Sequence, residues 1–154
     1  MKTMSVSSGS VDLREATPEE IKQLEAAQGI GQEKSIEDVQ SAHQAANCDA
    51  LAVYLATHPI TWTDGELYSV TEADQQRMLM YFSTYSMGLR EKLEWNSHTK
   101  KCREFTTEEF MQLCAAINSF VAPRVKKCQE YKERIFAAQT IQEVEAITFD
   151  FDDA

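Results

Sequence analysis

Apolar residues recur at spacings of three and four from Phe110 to Ile135: Phe110, Leu113/Cys114, Ile117, Phe120/Val121, Val125, Cys128, Tyr131 and Ile135. This is the period of a single helix face, and only a long helix places all of them on a common side. Thr106-Thr107-Glu108-Glu109 supplies its start, with a capping hydroxyl and acids at the positive end of the helix dipole. Pro123 interrupts the run. A proline inside a helix costs about 3 kcal/mol and usually kinks it. The expectation is therefore a helix bent near Ala122, or two abutting helices, and the rest of the chain must fold around that element.

Upstream, the same grammar occurs twice. "PITWTDGELYSV" reads as two short strands about Asp64-Gly65, a favoured hairpin pair because glycine tolerates positive φ. Thr71-Glu72-Ala73-Asp74 then opens a helix that Gly88 can stop in the left-handed conformation. "EKLEW" and "KCREFT", joined by the polar turn "NSHTK", form a second hairpin that feeds the long helix. Trp62 and Trp95 end the first strands, and Tyr68 and Phe105 sit in the second ones. Four such strands suit one small antiparallel sheet backed by helices.

Elsewhere, Thr17-Pro18-Glu19-Glu20 starts a short helix stopped by the "GIG" of residues 29–31, and Ser35-Ile36-Glu37-Asp38 starts another. Past Cys48 the run "ALAVYLATHPI" fits either more helix or a buried strand, with helix preferred. Thr140-Ile141-Gln142-Glu143 matches a capping box and opens a last short helix. The resulting division is a flexible or docking arm at 1–16, a helical segment at 17–46, an α+β domain at 47–148 and an acidic tail at 149–154. The fold class is α+β, mainly helical: two β-hairpin-plus-helix units forming a small antiparallel sheet against a long kinked C-terminal helix, with helices at the N-terminus.

The 154 residues suit one domain, and four cysteines without CxxC spacing read as free thiols rather than a disulfide framework. No apolar run reaches the roughly 20 residues of a membrane span, and "MKTMSVSSGSVDLREATPEE" lacks the apolar centre of a signal peptide. The expectation is a cytosolic protein with no membrane partner. Residues 1–75 hold 13 acids against 4 basic residues and residues 76–154 hold 12 against 11, together the net −10 of the chain. That balance argues against nucleic-acid binding, which wants a basic face. It favours instead contacts between the acidic front of one copy and the back half of another.

No chemistry announces itself. His98 and Cys102 flank a turn, Cys114 and Cys128 lie on an apolar stripe, and His43 and His58 have no nucleophile or carboxylate at useful spacing. Asp150, Asp152 and Asp153 lack the ligand spacing and glycine of a calcium loop. The expectation is a protein with no catalytic residues, metal or cofactor. Two basic clusters, Lys100/Lys101/Arg103 and the run Arg124, Lys126, Lys127, Lys132, Arg134, read either as a solvated face or as a contact surface for an acidic partner. "MLMYFSTYSMG" carries no charge over three helical turns. Met78, Tyr81, Phe82, Tyr85 and Met87 go most of the way round the helix, so it is either buried on nearly all sides or presents an interface. The candidate contact residues are these five together with Arg124, Lys126, Lys127, Phe149 and Phe151.

The pattern over residues 47–148 resembles a phage tail-associated domain of unknown function, encoded beside tail-fibre genes in phages and prophages. The residues that carry the resemblance are Trp62, Tyr68, Met78, Leu93, Trp95, Phe105, Thr107, Phe110, Leu113, Ile135, Ala138, Thr140, Glu143 and Ile147. The first 46 residues fall outside it, and the chain stops at "FDFDDA" where many relatives run further. The resemblance carries no catalytic residues. It implies a structural protein of the tail, baseplate or fibre region, or a factor assisting its assembly, with other tail or virion proteins as partners and possible homo-oligomers. Its expected location is the host cytoplasm during assembly, and the virion tail if it is a structural component rather than an assembly factor. The competing expectation is a small acidic phage-encoded inhibitor that occupies the basic groove of a host defence or nucleic-acid-handling protein.

Overall fold

A computed structural model describes residues 17–27 and 34–154, which fall into two compact units, residues 1–34 and 35–154. The first unit contributes one described helix, α1 (Pro18–Ala27). Thr17 caps it reciprocally: the Glu20 N–H donates to the Thr17 hydroxyl at 3.3 Å, and the Thr17 N–H donates to the Glu20 carboxylate at 2.9 Å. The arm at 1–16 and the "GIG" stop lie outside the described residues.

The second unit begins at the cap of α2 (Ile36–Thr57), where the Ser35 hydroxyl accepts the Asp38 N–H at 3.1 Å. The ambiguous run after Cys48 is helix, so a division between residues 46 and 47 falls in the middle of one continuous element. Then follow β1 (Ile60–Thr61), β2 (Leu67–Tyr68), α3 (Glu72–Ser86), β3 (Leu93–Trp95), β4 (Arg103–Phe105), α4 (Thr107–Ala137) and α5 (Ile141–Glu145). The chain is α+β and mainly helical.

The hairpins form two separate two-stranded ladders and not the one sheet expected. β1 pairs antiparallel with β2 (Ile60 opposite Tyr68), and β3 with β4 (Leu93 opposite Phe105). Strands of two or three residues offer too little edge for a fourth-strand ladder, so the hairpins join through one backbone bond, His98 N–H to Leu67 O at 2.8 Å. Side chains complete the junction: Glu66 accepts from Ser97 (3.2 Å), Thr99 (2.9 Å) and Lys100. Gly65 (φ 81°) and Gly88 (φ 72°) take the left-handed conformation that the hairpin turn and the end of α3 require.

α4 is the spine, and it runs unbroken through Pro123 for 31 residues. Pro123 offers no N–H to the Ser119 carbonyl, and both residues lie on the exposed side of the helix, where water can take that place. The expected stripe is right except at one step: Val125 is 50% exposed, and Arg124 occupies the buried position. The N-terminal half of α4 packs on α3 and the hairpins around Phe110, Leu113 and Ile117, with Tyr68, Val70, Met78, Leu93, Trp95 and Phe105. The C-terminal half packs on α2, α5 and the chain end around Tyr131 and Ile135, with Val144, Ile147 and Phe151.

Both helices that flank α4 run antiparallel to it. Gln40 donates to the Ile135 carbonyl (3.1 Å), Asn47 to the Cys128 carbonyl (2.9 Å), and Tyr54 lies opposite Arg124. Tyr85 meets Thr107 at one end of the α3–α4 pair, and Phe82 stacks on Phe110 (6.4 Å) a turn further along.

Candidate functional site: an open groove between α3 and α4

The ten sequence candidates do not converge. Met78 is 3% exposed and belongs to the core. Tyr81, Phe82 and Tyr85 are half-buried: Tyr81 meets Trp95 edge-on at 5.4 Å with Arg90 over its other face, and Phe82 stacks on Phe110. Only Met87, 72% exposed, stands fully in solvent.

Arg124 is 8% exposed, which removes it from any basic contact surface. Its guanidinium donates to the Phe120 carbonyl at 2.6 Å and lies 3.7 Å over the Phe120 ring, with the Tyr54 hydroxyl at 3.4 Å. Stacking on rings, one hydrogen bond within its own helix and one to Tyr54 on α2 let a guanidinium occupy a largely apolar seam. Lys126 is exposed and lies 3.9 Å from Glu130, and Lys127 is half-buried.

The acidic end is also no free contact surface. Phe151 is 3% exposed, and Phe149 is half-buried between His43 and Tyr131 at 4.9 and 5.4 Å. The Tyr131 hydroxyl donates to the Asp150 carbonyl (2.9 Å) and accepts the Asp150 N–H (3.1 Å), which pins the strap. The alternation Phe-Asp-Phe carried that signal, since it turns the two rings to one side and Asp150 to the other.

Two of the three basic residues on the second hairpin are likewise engaged within the fold, and Lys101 stands exposed. Arg103 donates to Asp64 at 3.0 Å and approaches Glu109 at 3.7 Å, and Lys100 pairs with Glu66. Burial works against the Asp64 charge, but hydrogen bonds from Tyr68 (2.7 Å), the Glu66 N–H and Arg103 outweigh it and hold the carboxyl below its usual range. Burial, helped by Asp64, pushes the Tyr68 phenol up to about 12. A polar hollow of about 280 Å³ lies nearby, between Ser69, Asp74, Arg77, Trp95, Asn96 and His98. Asp74 there already accepts from Ser69, Thr71 and Arg77, so its carboxylate serves the start of α3.

What remains open is apolar. Between α3 and α4 runs a cleft of about 300 Å³ whose floor is Met78, Phe82 and Ile117 and whose sides are Leu79, Met111 and Cys114, with Gln75 and Asn118 at one end. A more open and partly polar hollow along α4, lined by Thr107, Glu108, Met111, Gln112 and Ala115, adjoins it at Met111. Leu79 and Met111 are 68% and 54% exposed. Leu89, Met80 and Met87 extend the apolar surface around α3. A contiguous apolar patch of this kind marks an interaction site more often than a stray surface residue does.

Reasoning from sequence missed Leu79 and Met111, although each sits one position beyond a core residue, Met78 or Phe110. The signal was available: an apolar residue a full 100° from the centre of the buried stripe widens that stripe past what one core can cover. The cleft has no titratable wall except Cys114, whose thiol is pushed up by burial. It can hold apolar side chains but offers no acid–base pair or nucleophile poised for chemistry.

Among the described residues no three His, Cys, Asp or Glu side chains gather as a metal site, and no helix is long and apolar enough to cross a membrane. Comparison of the chain with protein-family models, curated proteins and solved structures gave no match.

Proposed function

We propose that the protein is a non-enzymatic component of a phage tail, baseplate or fibre region, or a factor that assists assembly of that region, and that it works by protein–protein contact. The observation that carries the contact reading is the open α3–α4 groove, with Leu79 and Met111 exposed on its two sides and no charged residue from Met78 through Leu89. Interface centres are depleted in charge and enriched in Met and aromatic residues, as this surface is. The tail setting rests on the resemblance over residues 47–148, whose positions are largely the core and cap residues described above: Tyr68, Met78, Leu93, Trp95, Phe105, Phe110 and Ile135.

The inhibitor reading gains little from the fold. The acids of Glu20, Asp38, Asp74, Glu109 and Glu143 are spent on helix starts, and Asp64 and Glu66 on tying the hairpins. The test is deletion of the gene from the phage or prophage that encodes it, followed by electron microscopy and mass spectrometry of the particles. Tails that lack fibres or baseplates, restored by the intact gene, are the expected result. Normal, infective particles from the deletion strain would overturn the reading.

A further inference from the structure

We infer that Cys48 on α2 and Cys128 on α4 are a redox pair, and that a low-molecular-weight disulfide of the glutathione type oxidises them to a disulfide that clasps the two helices together. The inference goes beyond the contact reading above and does not depend on it.

The two cysteines are distant in sequence and fall on one seam. α2 and α4 run antiparallel, and the register that sets Gln40 against the Ile135 carbonyl brings Asn47 to Cys128 two turns further on. Asn47 is fully buried there, and its amide donates both to the Cys128 carbonyl (2.9 Å) and to Gln44 Oε1 (3.2 Å). Gln44 in turn donates to the Cys48 sulfur at 3.4 Å. Two amides therefore tie the Cys48 thiol to the Cys128 backbone, and the two thiols themselves lie within hydrogen-bonding contact. All four cysteines carry free thiols. The other two lack this arrangement: Cys102 stands exposed on the second hairpin, and Cys114 lines the α3–α4 cleft.

A disulfide tolerates little error in the separation of the backbones it joins. The side chain of Asn47 is short, so its bond to the Cys128 carbonyl brings the two helix backbones close at this level. Closing the S–S bond then asks for side-chain rotation within an existing contact.

Exposure sets the order of events. Cys48 is exposed, so its thiolate attacks the small disulfide first, giving a mixed disulfide on Cys48 and releasing one small thiol. Cys128 is half-buried, and burial together with the neighbouring Cys48 pushes its thiol up. It reacts slowly with reagents from solvent, but it faces the mixed disulfide at contact distance. Its thiolate attacks the Cys48 sulfur, the inter-helix S–S bond forms, and the second small thiol leaves. Two protein thiols are oxidised, one small disulfide is reduced, and the two protons go to the departing thiolates. Excess small thiol runs the sequence backwards, so the clasp is open in a reducing compartment and closes in an oxidising one.

The test exposes the full chain to mixtures of oxidised and reduced glutathione, quenches with an alkylating reagent and maps the thiols by mass spectrometry. Cleavage after Lys and Arg leaves each cysteine on its own peptide, so every pairing is read directly. The expected product is a Cys48–Cys128 cross-link with no cross-link to Cys102 or Cys114. The bond spans about 80 residues, and constraining so long a loop should raise the thermal midpoint by about 10 °C, reversed by dithiothreitol. In Cys128→Ser, Cys48 should stop at the glutathione adduct. In Cys48→Ser, Cys128 should be modified several-fold more slowly than Cys48 is, and neither variant should show the rise in midpoint. Cys48 is exposed, so its replacement leaves the core untouched. A glutathione adduct that persists on Cys48 in the unaltered chain, cross-links scattered among the four cysteines, or an oxidised protein that melts no higher than the reduced one would each overturn the inference.

Discussion

The two halves of α4 are built from similar material and finished differently. Beside the C-terminal half, α2 lies antiparallel and the remaining gap is filled by α5 and the strap at residues 149–151, so Ile135 and Val144 are fully buried. Beside the N-terminal half, α3 also lies antiparallel, and the hairpins fill one side with Trp95 and Phe105. The other side stays open, and Leu79 and Met111 remain exposed. The difference teaches that an amphipathic helix pair leaves two flanks, and a fold is self-contained only where a further segment covers each. Among the described residues, the chain supplies that segment once.

The largest effect expected is at the centre of the open half. Phe110 is fully buried and touches Phe82, Trp95 and Phe105. Phe110→Ala should cost about 3–5 kcal/mol in denaturant unfolding. A loss under about 1 kcal/mol would mean that the hairpins do not depend on α4 in the way described. The matching change in the closed half is Phe151→Ala, for which we expect about 3 kcal/mol, the low end for such a truncation because a chain end can relax into the gap. It should also increase amide exchange at Asp150 and Asp152 while leaving α3 protected. Equal deprotection of α3 would erase the distinction between the halves.

A finer probe of the strap is Tyr131→Phe, which removes the hydroxyl that both donates to and accepts from Asp150. Asp150 is exposed and water can replace the lost partner, so about 1 kcal/mol is expected. An unchanged unfolding midpoint would mean that ring packing alone holds the strap.

Legibility from the sequence divides along the same physical line. The helix starts at Ser35, Thr71, Thr106 and Thr140 and the turns at Gly65 and Gly88 are readable, because capping and positive φ are settled within four residues. The long helix is readable because its apolar period repeats from Phe110 to Ile135. What fails is non-local. Whether two hairpins share a ladder depends on how much of each strand is left to pair, and the β-prone runs in the sequence are longer than the two or three residues that form strands. Val125 outranks Arg124 on hydropathy, yet Arg124 sits three residues after Val121 and four before Cys128, and aromatic faces from α2 and α4 make its burial possible. Phe149 and Phe151 read as an exposed tail because their partners, His43, Tyr54 and Tyr131, come from distant points of the chain. The groove is half legible: the uncharged stretch after Arg77 stands out in the sequence, and the side of it that faces solvent does not.

The smallest effect we expect concerns acid, and it too should separate the halves. Burial disfavours the Asp74 carboxylate, but hydrogen bonds from Ser69 and Thr71 and the Arg77 guanidinium outweigh it, so its pKa lies below the usual carboxylate value; Asp64 is lowered in the same sense. A carboxyl whose folded pKa is depressed binds its proton more readily in the unfolded chain. Its contribution to stability is therefore complete above the ordinary carboxylate range, and is lost as the pH falls through that range and down through the folded value. Both groups belong to the first hairpin and the start of α3, so acidification should loosen these elements before α2, α4 and α5. Hydrogen exchange measured at descending pH, corrected for the intrinsic rate, should show protection leaving Tyr68, Val70 and the first turn of α3 while Ile135 and Val144 keep theirs. In Asp74→Asn that early loss should be smaller, because the position no longer titrates. Simultaneous loss across the chain would mean that the open half is coupled to the closed one through α4 as a single cooperative unit, and that the groove lies on a scaffold as rigid as the rest.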